Sequence, residues 1–160
     1  MIGKAIFNLL LLFSVAVIQG KSQSRGFDKS SFYTVLASGK ASDIDAQLTS
    51  LKVASLAEKE AYEGTLLMRK AGLVSKPVEK LSLFKSGRSK LETAITKDNS
   101  NMEYRLLRII IQEHAPKIVN YRGSLQEDSR LLRSNFKNLS SFLQQQILDY
   151  SKNSKVLQTL

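Results

Sequence analysis

Few residues in this chain have side chains that could do chemistry, and the first of them is its one histidine. His114 follows Glu113 and precedes Ala115 and Pro116. An imidazole acts as a general base only where a substrate pocket and an orienting partner surround it. Near the C-terminal end of a helix, a histidine has a simpler role, because its N–H or its charge complements the last helical carbonyl groups. The position of His114 two residues before Pro116 favours this second role.

Composition and motifs argue against the other common chemistries. The chain has no cysteine, which excludes thiol nucleophiles and thiolate metal sites, and one histidine cannot form a two-histidine zinc site. Neighbouring acids such as Glu127 and Asp128 fall in the first turn of a predicted helix, where negative charge offsets the helix dipole. No nucleotide-binding or phosphate-binding motif occurs. We therefore predict no cofactor, no metal site and no enzymatic activity.

Basic residues are the most prominent charged feature. The whole chain carries 24 Lys and Arg against 14 Asp and Glu, a net charge of +10. Between positions 69 and 97 there are eight basic residues and only Glu79 and Glu92, which gives this stretch +6. Lys85 and Arg88 lie in its middle and are candidate partner-binding residues. A basic surface can attract anionic lipid or polymer, and the alternative is a solvated helix face with no partner.

A second polar group lies on the helix predicted to be the most buried. Arg105, Arg108 and Gln112 share one side of that helix and complete the set of candidate partner-binding residues. If neighbouring helices cover this side, the arginines need acidic partners, for which Glu63 and Glu92 are candidates. If the side is open, it forms a polar groove for a partner. The sequence leaves both alternatives open.

Helical periodicity positions these residues. Apolar residues recur with a period of 3.6 along most of the chain, and no alternation with a period of two is long enough for a strand. We predict an all-α fold with about seven helices in antiparallel hairpins. The predicted ranges are 29–38, 43–51, 56–71, 77–97, 102–115, 125–137 and 141–152. Helix 102–115 should be the central and most buried one.

Local signals set the helix ends. Ser55 with Glu58, and Ser124 with Glu127, have the spacing of capping boxes. Gly87 falls on the apolar stripe of helix 77–97, where a glycine predicts close approach of a neighbouring helix.

The first 24 residues have the pattern of a secretory signal peptide. A short start with one lysine precedes the apolar run AIFNLLLLFSVAVI at 5–18, and small residues follow at 20, 22 and 24. A 14-residue apolar run is too short for a transmembrane helix, which needs about 20 apolar residues. We predict a signal peptide at 1–24, export to the periplasm or beyond, and no transmembrane span in the mature chain. The rest should be a single helical domain at 25–160. Its parts are an N-terminal segment of short helices (25–54), a core array (55–152) and a frayed tail (153–160).

Two stretches resemble tetratricopeptide repeats. Residues 91–104 (LETAITKDNSNMEY) look like the junction between two repeats, with Ala94 at the small helix-packing position and residues 97–101 at the turn. Residues 61–72 (AYEGTLLMRKAG) resemble the first helix of a repeat. Tyr62 and Tyr104 stand 42 residues apart, which is longer than the 34-residue tetratricopeptide period. The chain as a whole also resembles signal-bearing helical proteins of bacteria with no assigned activity.

The tetratricopeptide resemblance implies partner binding on a concave face. We therefore expect a non-enzymatic, exported adaptor or scaffold whose partner is another protein. The alternative expectation is a peripheral binder of anionic envelope lipid or polymer. Nucleic acid is not expected, because export separates the protein from it and no binding motif is present.

Overall fold

A computed structural model describes residues 27–158, and these residues form an all-α fold, as predicted. They contain seven α-helices and no strand. The predicted signal peptide lies outside the described residues. The helices are α1 (Lys29–Ser38), α2 (Ala41–Val53), α3 (Lys59–Ala71), α4 (Pro77–Lys97), α5 (Met102–His114), α6 (Leu125–Asn135) and α7 (Ser141–Ser151). Short 3-10 turns at Lys117–Val119 and Phe136–Asn138 follow α5 and α6.

Local signals predicted α1 and α4 with their observed bounds. Asp28 caps α1, because its carboxylate accepts a hydrogen bond from the Ser30 N–H at 2.9 Å. Gly39 ends the helix in the left-handed conformation, with φ of 63°. Pro77 starts α4 at a position where the missing N–H breaks no helical hydrogen bond.

The two predicted capping boxes are wrong. Helix α3 begins at Lys59, so Ser55 lies outside it, and neither Glu58 nor Ser124 makes a side-chain hydrogen bond as an N-cap. Glu58 instead lies 3.3 Å from the ammonium group of Lys29 in α1. A long-range ion pair has therefore replaced the local cap.

Helices α3 and α4 pack most extensively, and two glycines allow it. A Cβ atom on Gly87 would lie 2.5 Å from the Gly64 carbonyl oxygen, so the two backbones touch at this crossing. This confirms the predicted close approach at Gly87. Ion pairs join the two helices, with Lys97 to Glu60 at 2.7 Å and Lys90 to Glu63 at 3.2 Å. Residue numbers increase along α3 while those of the α4 residues that they contact decrease, so the two helices run in opposite directions.

Helix α5 is central, as predicted, with nine of its 13 residues buried. At its first turn, the Glu103 carboxylate accepts hydrogen bonds from the hydroxyl groups of Tyr62 (2.8 Å) and Tyr33 (3.3 Å) and from the ammonium group of Lys29 (2.9 Å). Burial, and then the Glu103 charge, raise the pKa of both tyrosines. This cluster ties α1 and α3 to α5, and the buried side chains of all seven helices form one core.

The tail that was expected to fray is packed against the domain in residues 153–158. Leu157 is completely buried and Ser154 is 1% exposed. The Glu113 carboxylate accepts hydrogen bonds from Ser154 Oγ (2.7 Å) and the Lys155 N–H (2.8 Å) of this segment, and from Tyr150 Oη of α7 (2.8 Å). The buried Leu157, the Glu113 carboxylate, and hydrogen bonds from Ser129 and Arg133 of α6 to the Val156 carbonyl oxygen hold this polar sequence against the domain.

Candidate functional site

The five predicted partner-binding residues separate into two groups. Arg105, Arg108 and Gln112 on α5 are buried, with exposures of 6%, 6% and 1%. Lys85 and Arg88 on α4 are exposed. The two groups therefore do not form one surface.

The buried arginines converge on one carboxylate, Asp128 in the first turn of α6. Arg105 Nη1 donates to it at 2.8 Å. Arg108 donates from Nε and Nη2 at 2.7 and 2.8 Å. Asp128 is completely buried. Arg105 also donates to the carbonyl oxygen of Asn99 at 2.7 Å, which fixes the turn before α5.

Glu92 extends this network toward the surface. Arg108 Nη1 donates a hydrogen bond to the Glu92 carboxylate at 2.8 Å. Glu92 is one of the two acids that the sequence predicted as partners of the arginines. The hydroxyl group of Tyr121 donates to the other carboxylate oxygen. Burial alone would lower the pKa of Arg108, but the hydrogen bonds and charge of Asp128 outweigh it and raise that pKa. Two arginines and two acids are thus paired in one network.

Burial decides between the two alternatives for the polar side of α5. Asp128 covers it, so it is a structural network and not an open groove. The Gln112 Oε1 atom is buried and has no hydrogen-bond partner among the described residues. Arg105, Arg108 and Gln112 are therefore corrected from partner-binding candidates to core residues. Sequence reasoning placed Asp128 in its helix turn correctly but missed its role, because a helix-dipole acid and a buried counter-ion have the same sequence signature.

Only part of the predicted basic cluster at positions 69–97 has such partners. Half of the predicted basic cluster is engaged: Lys70, Lys90 and Lys97 pair with acids, and Arg69 donates to the Leu36 carbonyl oxygen. The other half lies at positions 76–88, which we call the basic segment. Its cations are Lys76, Lys80, Lys85 and Arg88. Within residues 27–158, none of these four has an acidic partner at ion-pair distance.

The positive charge that is not paired with acids is therefore concentrated in the basic segment. Against its four cations stands one acid, Glu79, so the segment carries four minus one, or +3. Arg88 is held in place, because its guanidinium carbon lies 4.7 Å from the centre of the Tyr121 ring. The first turns of α4 contain no buried residue, since its buried residues begin at Phe84.

Exposed aliphatic residues accompany the basic segment, and the sequence analysis did not single them out. Val78 is 83% exposed and Leu81 is 49% exposed. With Lys85 and Arg88 they occupy positions i, i+3, i+7 and i+10, which form one stripe of a helix. The signal was present in the sequence, since Val78 and Leu81 lie off the apolar stripe that packs α4 against α3.

His114 takes the simple role expected at a helix end. Its ring is exposed, and Nδ1 lies 2.9 Å from the Ile110 carbonyl oxygen one turn earlier. It borders a cleft also lined by Glu113, Arg122 and Lys155. Glu113 is engaged by the tail, and Arg122 donates to the carbonyl oxygen of Ala115 at 2.7 Å. Glu113 and Arg122 of this cleft are therefore used in holding the chain.

Comparisons with known proteins identify no relative. No family model, no curated protein and no solved structure matches the chain. Within residues 27–158, no helix is long and apolar enough to cross a membrane. The same residues contain no group of three or more histidine or acidic side chains placed to hold a metal ion. The tetratricopeptide resemblance stays a prediction, as does the antiparallel arrangement of the helix pairs other than α3 and α4.

Proposed function

We propose that this protein is an exported, non-enzymatic binding module whose basic segment attaches it to an anionic surface of the cell envelope, made of lipid or polymer. The observation that carries the proposal is the set of four exposed cations at positions 76–88 with no acidic partner among the described residues. Each basic residue near an anionic membrane contributes about 1 kcal/mol of binding free energy. Exposed charges are screened over about 8–10 Å at physiological ionic strength, so such binding weakens as salt rises.

A second candidate function is the one first expected, an adaptor that binds a protein partner. The fixed guanidinium of Arg88 favours it. A guanidinium held against an aromatic ring is pre-organised to bind a carboxylate with two parallel hydrogen bonds. The groove once expected at Arg105 and Arg108 is buried, so an acidic protein would also have to dock on the basic segment. Such a partner would stay bound at moderate salt, because a defined interface buries its ion pairs.

The test compares two double variants of equal net charge. Lys85→Gln with Arg88→Gln removes two cations from the basic segment. Lys52→Gln with Lys137→Gln removes two exposed lysines elsewhere. Lys52 lies near the N-terminal end of α3, whereas the basic segment follows the C-terminal end of that helix, roughly 20 Å away. Binding is measured by co-sedimentation with vesicles containing phosphatidylglycerol and by retention on dextran sulfate, at low and moderate salt.

We expect the first double variant to bind about 30-fold more weakly at low salt, since two charges contribute about 2 kcal/mol. The control variant should change binding by less than about threefold. Equal weakening in both variants would show that total charge matters and the basic segment does not. A crosslinked pull-down that recovers one acidic protein at both salt concentrations would favour the adaptor instead.

A further inference from the structure

Exposed aliphatic side chains collect at the same end of the molecule as the basic segment. Six large hydrophobic residues are exposed among the described residues. Four of them occupy the connection after α3, the first turns of α4 and the loop after α5. Those four, which we call the aliphatic tip, are Leu73, Val78, Leu81 and Ile118. The other two, Val53 and Leu148, lie on α2 and α7.

Ring contacts place the loop after α5 beside α4. Ile118 is 92% exposed and lies three residues before Tyr121. The Tyr121 ring packs edge-on against Phe84 with 5.8 Å between centroids, and its face is covered by Arg88. Phe84 and Arg88 lie on the flank of α4 next to Leu81. The loop therefore adds an aliphatic residue and the exposed Lys117 to the same end of the molecule.

Two residues of the aliphatic tip and two cations of the basic segment share one helix stripe. Val78 and Leu81 come first, and Lys85 and Arg88 continue the stripe toward the body of the protein. Surfaces that lie in the headgroup region of a bilayer combine these same two features, apolar side chains that enter the acyl boundary and basic side chains that meet anionic headgroups. A soluble anionic polymer offers no apolar phase, so it would leave Val78 in water.

We infer that the protein docks on an anionic phospholipid bilayer, with Val78, Leu81 and Ile118 inserted at the headgroup boundary and the cations of the basic segment on the headgroups. This inference rests on the proposed function and narrows it from any anionic surface to a lipid bilayer. The contact is peripheral, since the inserted part is the first turns of one helix and one loop.

The test uses matched aliphatic pairs. Val78→Ser with Leu81→Ser alters residues that are 83% and 49% exposed, and Val53→Ser with Leu148→Ser alters residues that are 88% and 39% exposed. None of the four residues belongs to the buried core, so circular dichroism should show both variants folded. Binding is measured to vesicles of phosphatidylglycerol with phosphatidylethanolamine, to vesicles of phosphatidylcholine alone, and to dextran sulfate.

We expect the tip variant to lose about tenfold in affinity for the anionic vesicles per side chain removed, or about a hundredfold in total. Its binding to dextran sulfate should be unchanged, and the control pair should stay within about threefold of the wild type on every surface. Phosphatidylcholine vesicles should bind weakly, because they provide no net negative charge.

A fluorescent probe gives a second readout, because the chain contains no tryptophan. Val78→Trp should show a blue-shifted emission and protection from an aqueous quencher when anionic vesicles are added. Val53→Trp places the same probe on an equally exposed valine near the start of α3, and its emission should not change.

The outcomes separate this inference from the proposed function. If the tip variant binds vesicles as well as the wild type, or if the wild type binds only dextran sulfate, the bilayer inference is overturned and the proposed function stands. If the wild type binds neither, both fail. If the wild type does not bind vesicles, and a crosslinked pull-down recovers an acidic protein only when Val78 and Leu81 are present, the ligand is a protein partner and not a bilayer.

Discussion

Replacing Asp128 with asparagine tests whether the polar side of α5 holds the fold together. The Asp128 carboxylate is completely buried and accepts three hydrogen bonds from Arg105 and Arg108. With Glu92, the cluster contains two positive and two negative charges. Asp128→Asn keeps the shape of the side chain but leaves one positive charge unbalanced, and it turns an amide N–H₂ toward guanidinium donors.

The magnitude follows from burial. Removing one partner of a buried ion pair costs about 3–5 kcal/mol, because the remaining charge loses its compensation. A domain of this kind has a total free energy of unfolding of about 5–15 kcal/mol. The substitution should therefore remove a large part of the stability. In urea, where the slope is about 1–3 kcal/mol per molar, the unfolding midpoint should fall by at least about 1 M.

The assay is urea unfolding followed by far-UV circular dichroism, with Glu127→Gln as the control. Glu127 shares the first turn of α6 with Asp128 but is exposed. Its removal should cost about 0.3–1 kcal/mol, the ordinary contribution of a helix-dipole acid. If the two variants have the same midpoint, Asp128 is also no more than a helix-dipole acid and the reasoning from the buried network is refuted.

A triple variant separates charge from packing. Arg105→Met, Arg108→Met and Asp128→Leu together replace the buried charges with apolar side chains of similar size. Such replacements are often neutral or stabilising, because the desolvation cost of the charges is removed. We expect the triple variant to regain most of the stability that Asp128→Asn loses. A triple variant as unstable as Asp128→Asn would mean that the cost comes from side-chain fit.

Two further predictions concern helix packing and alkaline pH. Gly87→Ala should destabilise the protein by about 1–3 kcal/mol in the same urea assay, because its Cβ would collide with the Gly64 carbonyl oxygen, while Gly123→Ala, where no atom lies within 4 Å, should be near neutral. A low cost at Gly87 would mean that α3 and α4 can separate without penalty. Burial first, and then nearby carboxylates, raise the pKa of all five tyrosines above the ordinary value of about 10, so the folded state keeps protons that the unfolded state loses. The free energy of unfolding should therefore fall as pH rises above about 10, and tyrosinate absorbance should rise together with loss of helical signal; tyrosinate formed with the helices intact would contradict this. The five residues are Tyr33, Tyr62, Tyr104, Tyr121 and Tyr150.

Features that depend on neighbouring residues in the chain were predicted well. The bounds of α1 follow from Asp28 and Gly39, and the start of α4 follows from Pro77. The same logic was wrong for the capping box at Glu58, since Lys29 is 29 positions away and no local pattern shows that it will compete for that carboxylate. The polar tail was predicted to fray for a similar reason, because the Glu113 carboxylate that holds it is about 40 positions distant.

The candidate site divides in the same way. The basic cluster could be found from composition, but which of its cations are free depended on where the acids of α2 and α3 lie after folding. The sequence offered Glu63 and Glu92 as candidate partners for the arginines. In the structure Arg108 pairs with Glu92, and Glu63 pairs with Lys90 instead. Asp128 could not be assigned to either arginine, because nothing local sets how α6 approaches α5.

By itself, the sequence determined that the chain is helical, where most helices begin and end, that α5 is central, and that positive charge gathers at positions 69–97. These properties follow from periodicity, caps and composition, which act over one or two helical turns. Only the tertiary structure decided that Arg105, Arg108 and Gln112 are core residues and that Val78, Leu81, Lys85 and Arg88 form an exposed stripe. Burial and ion pairing depend on which helix faces meet, and that is set by packing across the whole domain.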